Sequence, residues 1–184
     1  MSSPDVTQLV ALSREGDMTA IETLVSAFQM RIFRLSLSIL DDPAEADEAT
    51  QETFLAAIGK LNSFRGEASF ATWLYAIALN VCRGRLRKRR TRERLEQALQ
   101  SLLRRAGDDD AHPEQMVVQH ETDAVLWQAI QSLSDRERAV IVMRYFHDMP
   151  LNEIAQVTGV SERTVRTRLH TAHERLRTAL SGAS

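Results

Sequence analysis

The chain has 184 residues, 43% of them hydrophobic and 26% charged, with a formal net charge of -2 and a single cysteine, Cys82. This is the balance of a globular protein with room for one domain or two small ones; it excludes a disulfide scaffold and a Cys-rich metal site, and it suits a reducing cytoplasm. No basic start followed by an apolar stretch opens the chain, and no bilayer-spanning apolar run is expected, so neither export by a signal peptide nor membrane insertion is expected.

Gly and Pro are scarce and no segment alternates for long between β-branched and polar residues, which predicts an all-α fold. Residues 5–15 and 17–40 are predicted as helices parted at Gly16. The second is capped by Asp17 and carries a core stripe of Ile21, Leu24, Phe28, Ile32, Leu35 and Ile39. Asp42-Pro43-Ala44-Glu45 combines a capping Asp, a Pro at the first helical position and a Glu three residues after the cap, predicting a helix to Leu61. Its first half is acidic (Glu45, Asp47, Glu48, Glu52), as the positive end of a helix favours.

The polar segment Asn62 to Ser69 contains Gly66, Phe64 and Arg65 and reads as a loop. A helix from Phe70 to about Arg90 follows, apolar nearly all round except for Thr72, Ala76, Asn80, Arg83 and Arg87 at spacings of four, four, three and four. Small and polar residues beside Trp73, ending in cations, suit the approach of a nucleic-acid strand; an ordinary solvated face with a basic helix end has the same pattern. Eight of the twelve residues from Arg83 to Arg94 are Lys or Arg, so the local field there is strongly positive despite the net charge. Helical propensity continues to Arg105, and Gly107-Asp108-Asp109-Asp110-Ala111-His112-Pro113 then breaks it as a linker.

A helix from about Glu114 to Gln131 and another from the capping box Ser134-Asp135-Arg136-Glu137 to near His147 lead into a helix-turn-helix pattern. Its first helix stops at Gly159 and its second starts at Ser161. Val165, Leu169, Ala172, Leu176 and Leu180 share one face of the second helix, while Arg163, Arg166, Thr167, His170 and His173 point away, the layout of a recognition helix in a major groove. Many helical hairpins carry a Gly turn and a basic solvated face without binding DNA.

Taken together, Ala46 to Phe54, Phe64 to Leu74, Ala78-Leu79-Asn80 with the basic run, and Leu133 to Leu176 resemble the extracytoplasmic-function sigma factors of bacterial RNA polymerase over nearly the whole chain. The resemblance implies two helical domains, a region 2-like one at 1–90 and a region 4-like one at 119–184, joined by a linker at 91–118. It implies that Asp47, Glu48, Gln51 and Phe54 dock on core polymerase, that Ser63, Phe64, Arg65, Trp73, Asn80, Arg83 and Arg87 hold the promoter's minus-10 element, and that Arg163, Thr164, Arg166, Thr167, His170 and Thr171 read the minus-35 element. Core polymerase, promoter DNA and an anti-sigma factor are the implied partners. Thr171 and His173 depart from the pattern, since the family commonly has Arg at both positions, so the usual minus-35 consensus is not carried over.

The competing reading is a free-standing helix-turn-helix repressor or activator, against which stands the lack of a heptad seam or sensor segment. The five histidines form no HExxH pattern and no phosphate loop or nucleophile elbow is present, so neither an enzyme nor a cofactor is expected.

Overall fold

The computed structural model describes residues 5–104 and 121–181, which form eight α-helices and one 3-10 turn, with no strand among the described residues. In chain order the helices are α1 (Val6–Arg14), α2 (Met18–Leu40), α3 (Pro43–Lys60), α4 (Phe70–Arg104), α5 (Glu121–Gln131), α6 (Asp135–Tyr145), α7 (Leu151–Thr158) and α8 (Glu162–Ser181). The architecture is all-α, as the sequence predicts, and its starts follow the cap residues. Asp17 accepts from the Ala20 N–H at 3.1 Å and Asp42 from the Glu45 N–H at 2.9 Å, while Ser134 and Glu137 close a reciprocal capping box.

Helix α2 is the centre of the first half, with Leu24, Phe28, Ile32, Leu35 and Ile39 buried against its neighbours. By length and composition alone this 23-residue helix is apolar enough to cross a membrane, with a mean hydropathy of 1.2 over its most apolar 18 residues, but 44% of that stretch is buried inside the fold. Its apolar stripe is instead the floor of the core. Opposite it, α3 presents mainly small buried residues (Ala46, Ala49, Thr50, Thr53, Ala57) and so packs closely.

Helix α4 does not stop at Arg90. It continues to Arg104, through the first half of the stretch expected as linker, because residues 91–104 contain no Gly or Pro and Arg92 pairs with Glu96 at 2.8 Å one turn on. The Gly107 to Pro113 break and the start expected at Glu114 lie outside the described residues.

The two halves of the chain pack on each other, α7 against α4 and α6 against α2. Ile154, Val157, Val140 and Met143 belong to the same apolar core as Leu35, Ile39 and Leu74. Polar contacts frame this seam. Asp41, in the left-handed conformation at φ 59 that ends α2, accepts from Trp127 Nε1 at 3.1 Å and Gln131 Nε2 at 2.9 Å. Arg138 donates to the Ile39 carbonyl at 3.2 Å, and Arg90 pairs with Asp135 at 2.7 Å.

Candidate nucleic-acid interface

On α3, Asp47, Glu48 and Gln51 are exposed, as expected. Phe54 is not: it is 9% exposed and sits in the core. The correction follows from helical periodicity, because Phe54 shares the face of Ala46, Ala49, Thr50, Thr53 and Ala57. The apolar residues that do look outward are Leu55, 73% exposed, and Ile58, which continue the line Asp47, Gln51, Leu55, Ile58. Gln51 donates to Asp47 at 2.8 Å. Glu48 and Glu52 both accept from Arg85 of α4, at 2.8 and 3.1 Å, and the hydrogen bond that Arg85 donates to Glu48 does most to raise the Arg85 pKa. Only part of the acidic face is therefore unengaged.

The loop before α4 is held from both sides. Arg14 donates to the carbonyls of Leu61 and Phe64 and lies over the Phe64 ring, and Gly66 turns at φ 76. Phe64 is half-buried, its ring centroid 5.8 Å from Phe70 and 5.2 Å from Trp73, with Phe28 5.4 Å beyond Phe70. Phe64 and Trp73 are thus members of an aromatic cluster that also supports the fold. Ser63 and Arg65 lie on the exposed side of the loop, Ser63 donating to the Lys60 carbonyl.

Along α4, Asn80 and Arg87 are exposed and Arg83 is half-buried. Burial pulls the Arg83 pKa down, followed by the positive charges of Arg168, Arg136 and Arg87. The basic run divides by function. Arg85, Arg89, Arg90 and Arg92 are engaged inside the chain, Arg89 donating to the Leu40 carbonyl that ends α2, whereas Arg83, Arg87 and Lys88 make no ion pair among the described residues.

Gly159 at φ 69 ends α7 and sets the turn into α8. Ser161 then accepts from the Thr164 N–H at 3.2 Å. On α8, Val165, Leu169 and Ala172 are buried while Arg163, Arg166, Thr167, His170 and His173 are exposed, and Thr164 and Thr171 are half-buried at the edge of that face. Arg166 is loosely paired with Glu162 at 3.6 Å, and the hydroxyls of Thr167 and Thr171 donate to carbonyls one turn back. One helix face therefore offers cations, an imidazole and methyl groups from successive turns.

The comparisons with known proteins agree with this layout. Residues 24–92 match the family model of sigma-70 region 2, and residues 129–178 match that of sigma-70 region 4. The RNA polymerase sigma-H factor of Pseudomonas aeruginosa is 33% identical over 178 residues, covering 94% of this chain and 92% of its own. The ECF RNA polymerase sigma factor SigW of Bacillus subtilis is 31% identical over 172 residues, covering 91% and 92%. The chain belongs to the ECF family of RNA polymerase sigma factors. Among solved structures, CnrH in complex with the cytosolic domain of CnrY matches with a TM-score of 0.72 at 26% identity, covering 98% of this chain and all of that one. RpoE of Bartonella quintana, solved with the anti-sigma factor NepR, shares the fold at a TM-score of 0.67 and 21% identity, covering 87% and 96%.

As a sigma factor the protein binds core RNA polymerase and promoter DNA and directs transcription initiation; the free-standing repressor or activator is not favoured. Two features of this sigma factor were not visible in its sequence. One is the contact of α7 with α4, where the Thr72 hydroxyl donates to Glu153 at 2.8 Å and Thr72 is 2% exposed. The other is His147, whose Nδ1 lies 3.0 Å from the Tyr75 hydroxyl while its buried Nε2 has no partner among the described residues.

Burial pushes the His147 pKa down from 6.5 to about 4, with Arg31 and Arg34 adding repulsion and Asp148 opposing it. Since the folded value lies below the unfolded one, the unfolded chain takes up a proton first as pH falls. The stability contributed by neutral His147 is therefore complete above about pH 6.5 and is lost on descending to about pH 4, by at most about 3 kcal/mol. The melting temperature of wild type should drop more between pH 7 and pH 5 than that of His147→Gln. Equal drops in the two proteins would show that His147 does not carry this dependence.

Proposed function

We propose that this sigma factor works in the cytoplasm, without enzymatic activity of its own, through three separate surfaces. The outer face of α3 docks on core polymerase through Asp47, Glu48 and Gln51 together with Leu55 and Ile58. The loop at 63–65 and the helix face with Trp73, Asn80, Arg83 and Arg87 hold the minus-10 element. The face of α8 with Arg163, Thr164, Arg166, Thr167, His170 and Thr171 reads the minus-35 element in the major groove. The region 2 unit then comprises residues up to the end of the α4 core, the region 4 unit residues from α5 onward, and the intervening chain joins them.

The observation that carries this reading is that the exposed cations, the Asn and the imidazole fall on two helix faces within the region 2 and region 4 matches. An anti-sigma factor is the third partner we assign, in line with the complex of RpoE with NepR. His173 leans on Tyr145, with ring centroids 5.5 Å apart, so where the family commonly places Arg this chain has an imidazole drawn toward its own surface. That favours a minus-35 preference set by Arg163, Arg166 and His170.

Run-off transcription with core polymerase tests the assignment. Asp47→Lys with Leu55→Asp should weaken core binding, the charge reversal telling most at low salt and the loss of the apolar contact persisting at moderate salt, because exposed charges act largely through association rate and the apolar contact through dissociation. Arg166→Ala with His170→Ala should leave core binding intact and cost about 1 to 3 kcal/mol of discrimination at minus-35. Unchanged core pull-down in the first pair, or unchanged promoter choice in the second, removes the corresponding surface.

A further inference from the structure

We propose that Arg14 is a positioning residue of the minus-10 site: reaching from α1, its guanidinium fixes the loop at 63–65 in the shape that receives an unpaired non-template base. This rests on the proposed minus-10 role of that loop. Arg14 lies ahead of residues 24–92, the stretch that matches sigma-70 region 2, so α1 brings to the site a side chain from outside that match.

The contacts converge on one turn. Arg14 Nε donates to the Leu61 carbonyl at 3.2 Å, and a terminal nitrogen of the same guanidinium donates to the Phe64 carbonyl. Leu61 opens the 3-10 turn Leu61–Ser63 and Phe64 follows it, and the Phe64 N–H closes the turn on that same Leu61 carbonyl at 3.2 Å. A planar guanidinium with donors in a rigid fork holds two carbonyls at a set separation, which a flexible ammonium does not. The Arg14 Cζ also lies 5.9 Å from the centroid of the Phe64 ring, whose other neighbours are Phe70 and Trp73. One side chain thereby holds residue 64 through both its carbonyl and its ring.

Arg14 is itself fixed. It is the last residue of α1, a helix docked through buried Val10 and Ser13. Gly16 then turns at φ 89, and the Asp17 N–H returns to the Leu12 carbonyl at 3.1 Å, which sets where the end of α1 stands. Beyond Phe64, Arg65, Gly66 and Glu67 are exposed, and the next pin is Ser69, whose hydroxyl oxygen accepts from the Thr72 N–H at 3.0 Å. The exposed segment hangs between these two anchors, and Arg14 is the upstream one. Removing it lets the loop sample shapes that do not receive a base, and affinity falls in proportion to the competent fraction.

The test uses holoenzyme assembled from the full chain and core polymerase, with a fluorescent promoter fragment whose minus-10 element is single-stranded on the non-template side. An abasic site is placed in turn at each position of that element. Wild type should lose about tenfold in affinity where the missing base is the one the loop receives, the scale of one lost stacking contact. Arg14→Met keeps the aliphatic stem and loses the fork. It should bind the intact element at least about tenfold more weakly, as expected where the competent fraction of the loop falls below a tenth. The abasic penalty at that one position should shrink to about twofold, the scatter of such a cycle. Penalties at the other positions, minus-35 preference and core binding should stay as in wild type. Arg14→Lys, the milder change, keeps the charge and should show the same position-specific loss at smaller size.

Undiminished affinity of Arg14→Met overturns the proposal. So does an abasic penalty as large as that of wild type in a variant that melts lower, which would leave Arg14 a brace of the fold. Full recovery by Arg14→Lys, with the slope of log affinity against log salt reduced by about 0.7 in Arg14→Met, would make Arg14 a direct phosphate ligand of the strand and overturns positioning as well. Indifference of wild type to an abasic site at every position would withdraw the minus-10 role of the loop, and the role of Arg14 with it.

Discussion

Asn80→Ala is expected to lose about tenfold to a hundredfold of the holoenzyme's preference for its own minus-10 sequence, with the protein melting as wild type does. Asn80 is exposed and lies in the interior of α4, so its truncation leaves the helix intact. A side-chain amide that donates and accepts on a base edge supplies about 1 to 3 kcal/mol of discrimination, and a loss of that size brackets tenfold to a hundredfold. Arg83→Ala with Arg87→Ala should act differently, weakening binding to every sequence and reducing the slope of log affinity against log salt by about 1.4, the value for two phosphates of a single strand. Phe64 and Trp73 are poorer probes, because truncating either opens the cluster with Phe28 and Phe70 and destabilises the fold as well. A template already opened across the minus-10 region separates capture of an unpaired base from mere folding. The assignment of Asn80 to strand capture requires the defect to shrink on that template, and an equal defect on both sinks it.

Local signals carried the fold because each is read within a few residues. Asp17, Asp42, Ser134 and Gly159 mark helix ends through hydrogen bonds or backbone angles that depend only on their neighbours. Leu55 was legible by the same arithmetic, and Phe54 drew the docking assignment through resemblance although its periodicity puts it inside. The length of α4 was read short since a basic run resembles a helix end, whereas its alternating Arg and Glu side chains sustain further turns. What no local pattern holds is the seam. Thr72 and Glu153 are 81 residues apart, Asp41 and Gln131 are 90, and each helix they stand on is amphipathic enough to satisfy its own half. For the same reason four arginines in the basic run that look alike in sequence prove to be anchored to Glu48, Glu52, Leu40, Asp135 or Glu96.

Arg138→Ala is expected to be the most damaging single change outside the apolar core, lowering stability by about 2 to 4 kcal/mol. Its guanidinium donates to three carbonyls, those of Ile39 across the seam and of Gln131 and Leu133 in the turn before α6. Burial pulls its pKa down, and Asp135 and Asp41 act in the opposite direction, so the charge is retained where donors are needed. Each charge-assisted bond contributes about 1.5 to 3 kcal/mol, and carbonyls left unpaired cost about 1 to 3 kcal/mol unless water reaches them, as it can on the open side of this half-buried site. For a chain of this size that predicts a fall of about 5 to 15 °C in melting temperature. Arg138→Lys keeps the charge but not the planar fork, so it can serve one or two of the three carbonyls and should recover only part of the loss. Because one of the three acceptors ends α2 and the other two precede α6, the Ala variant should also lengthen the distance between labels on Gln29→Cys and Thr178→Cys at temperatures well below its melting point. A melting temperature within a degree or two of wild type, or an unchanged distance in a destabilised protein, would mean that the seam is held by its apolar contacts and by Asp41, and that Arg138 only tightens the turn before α6.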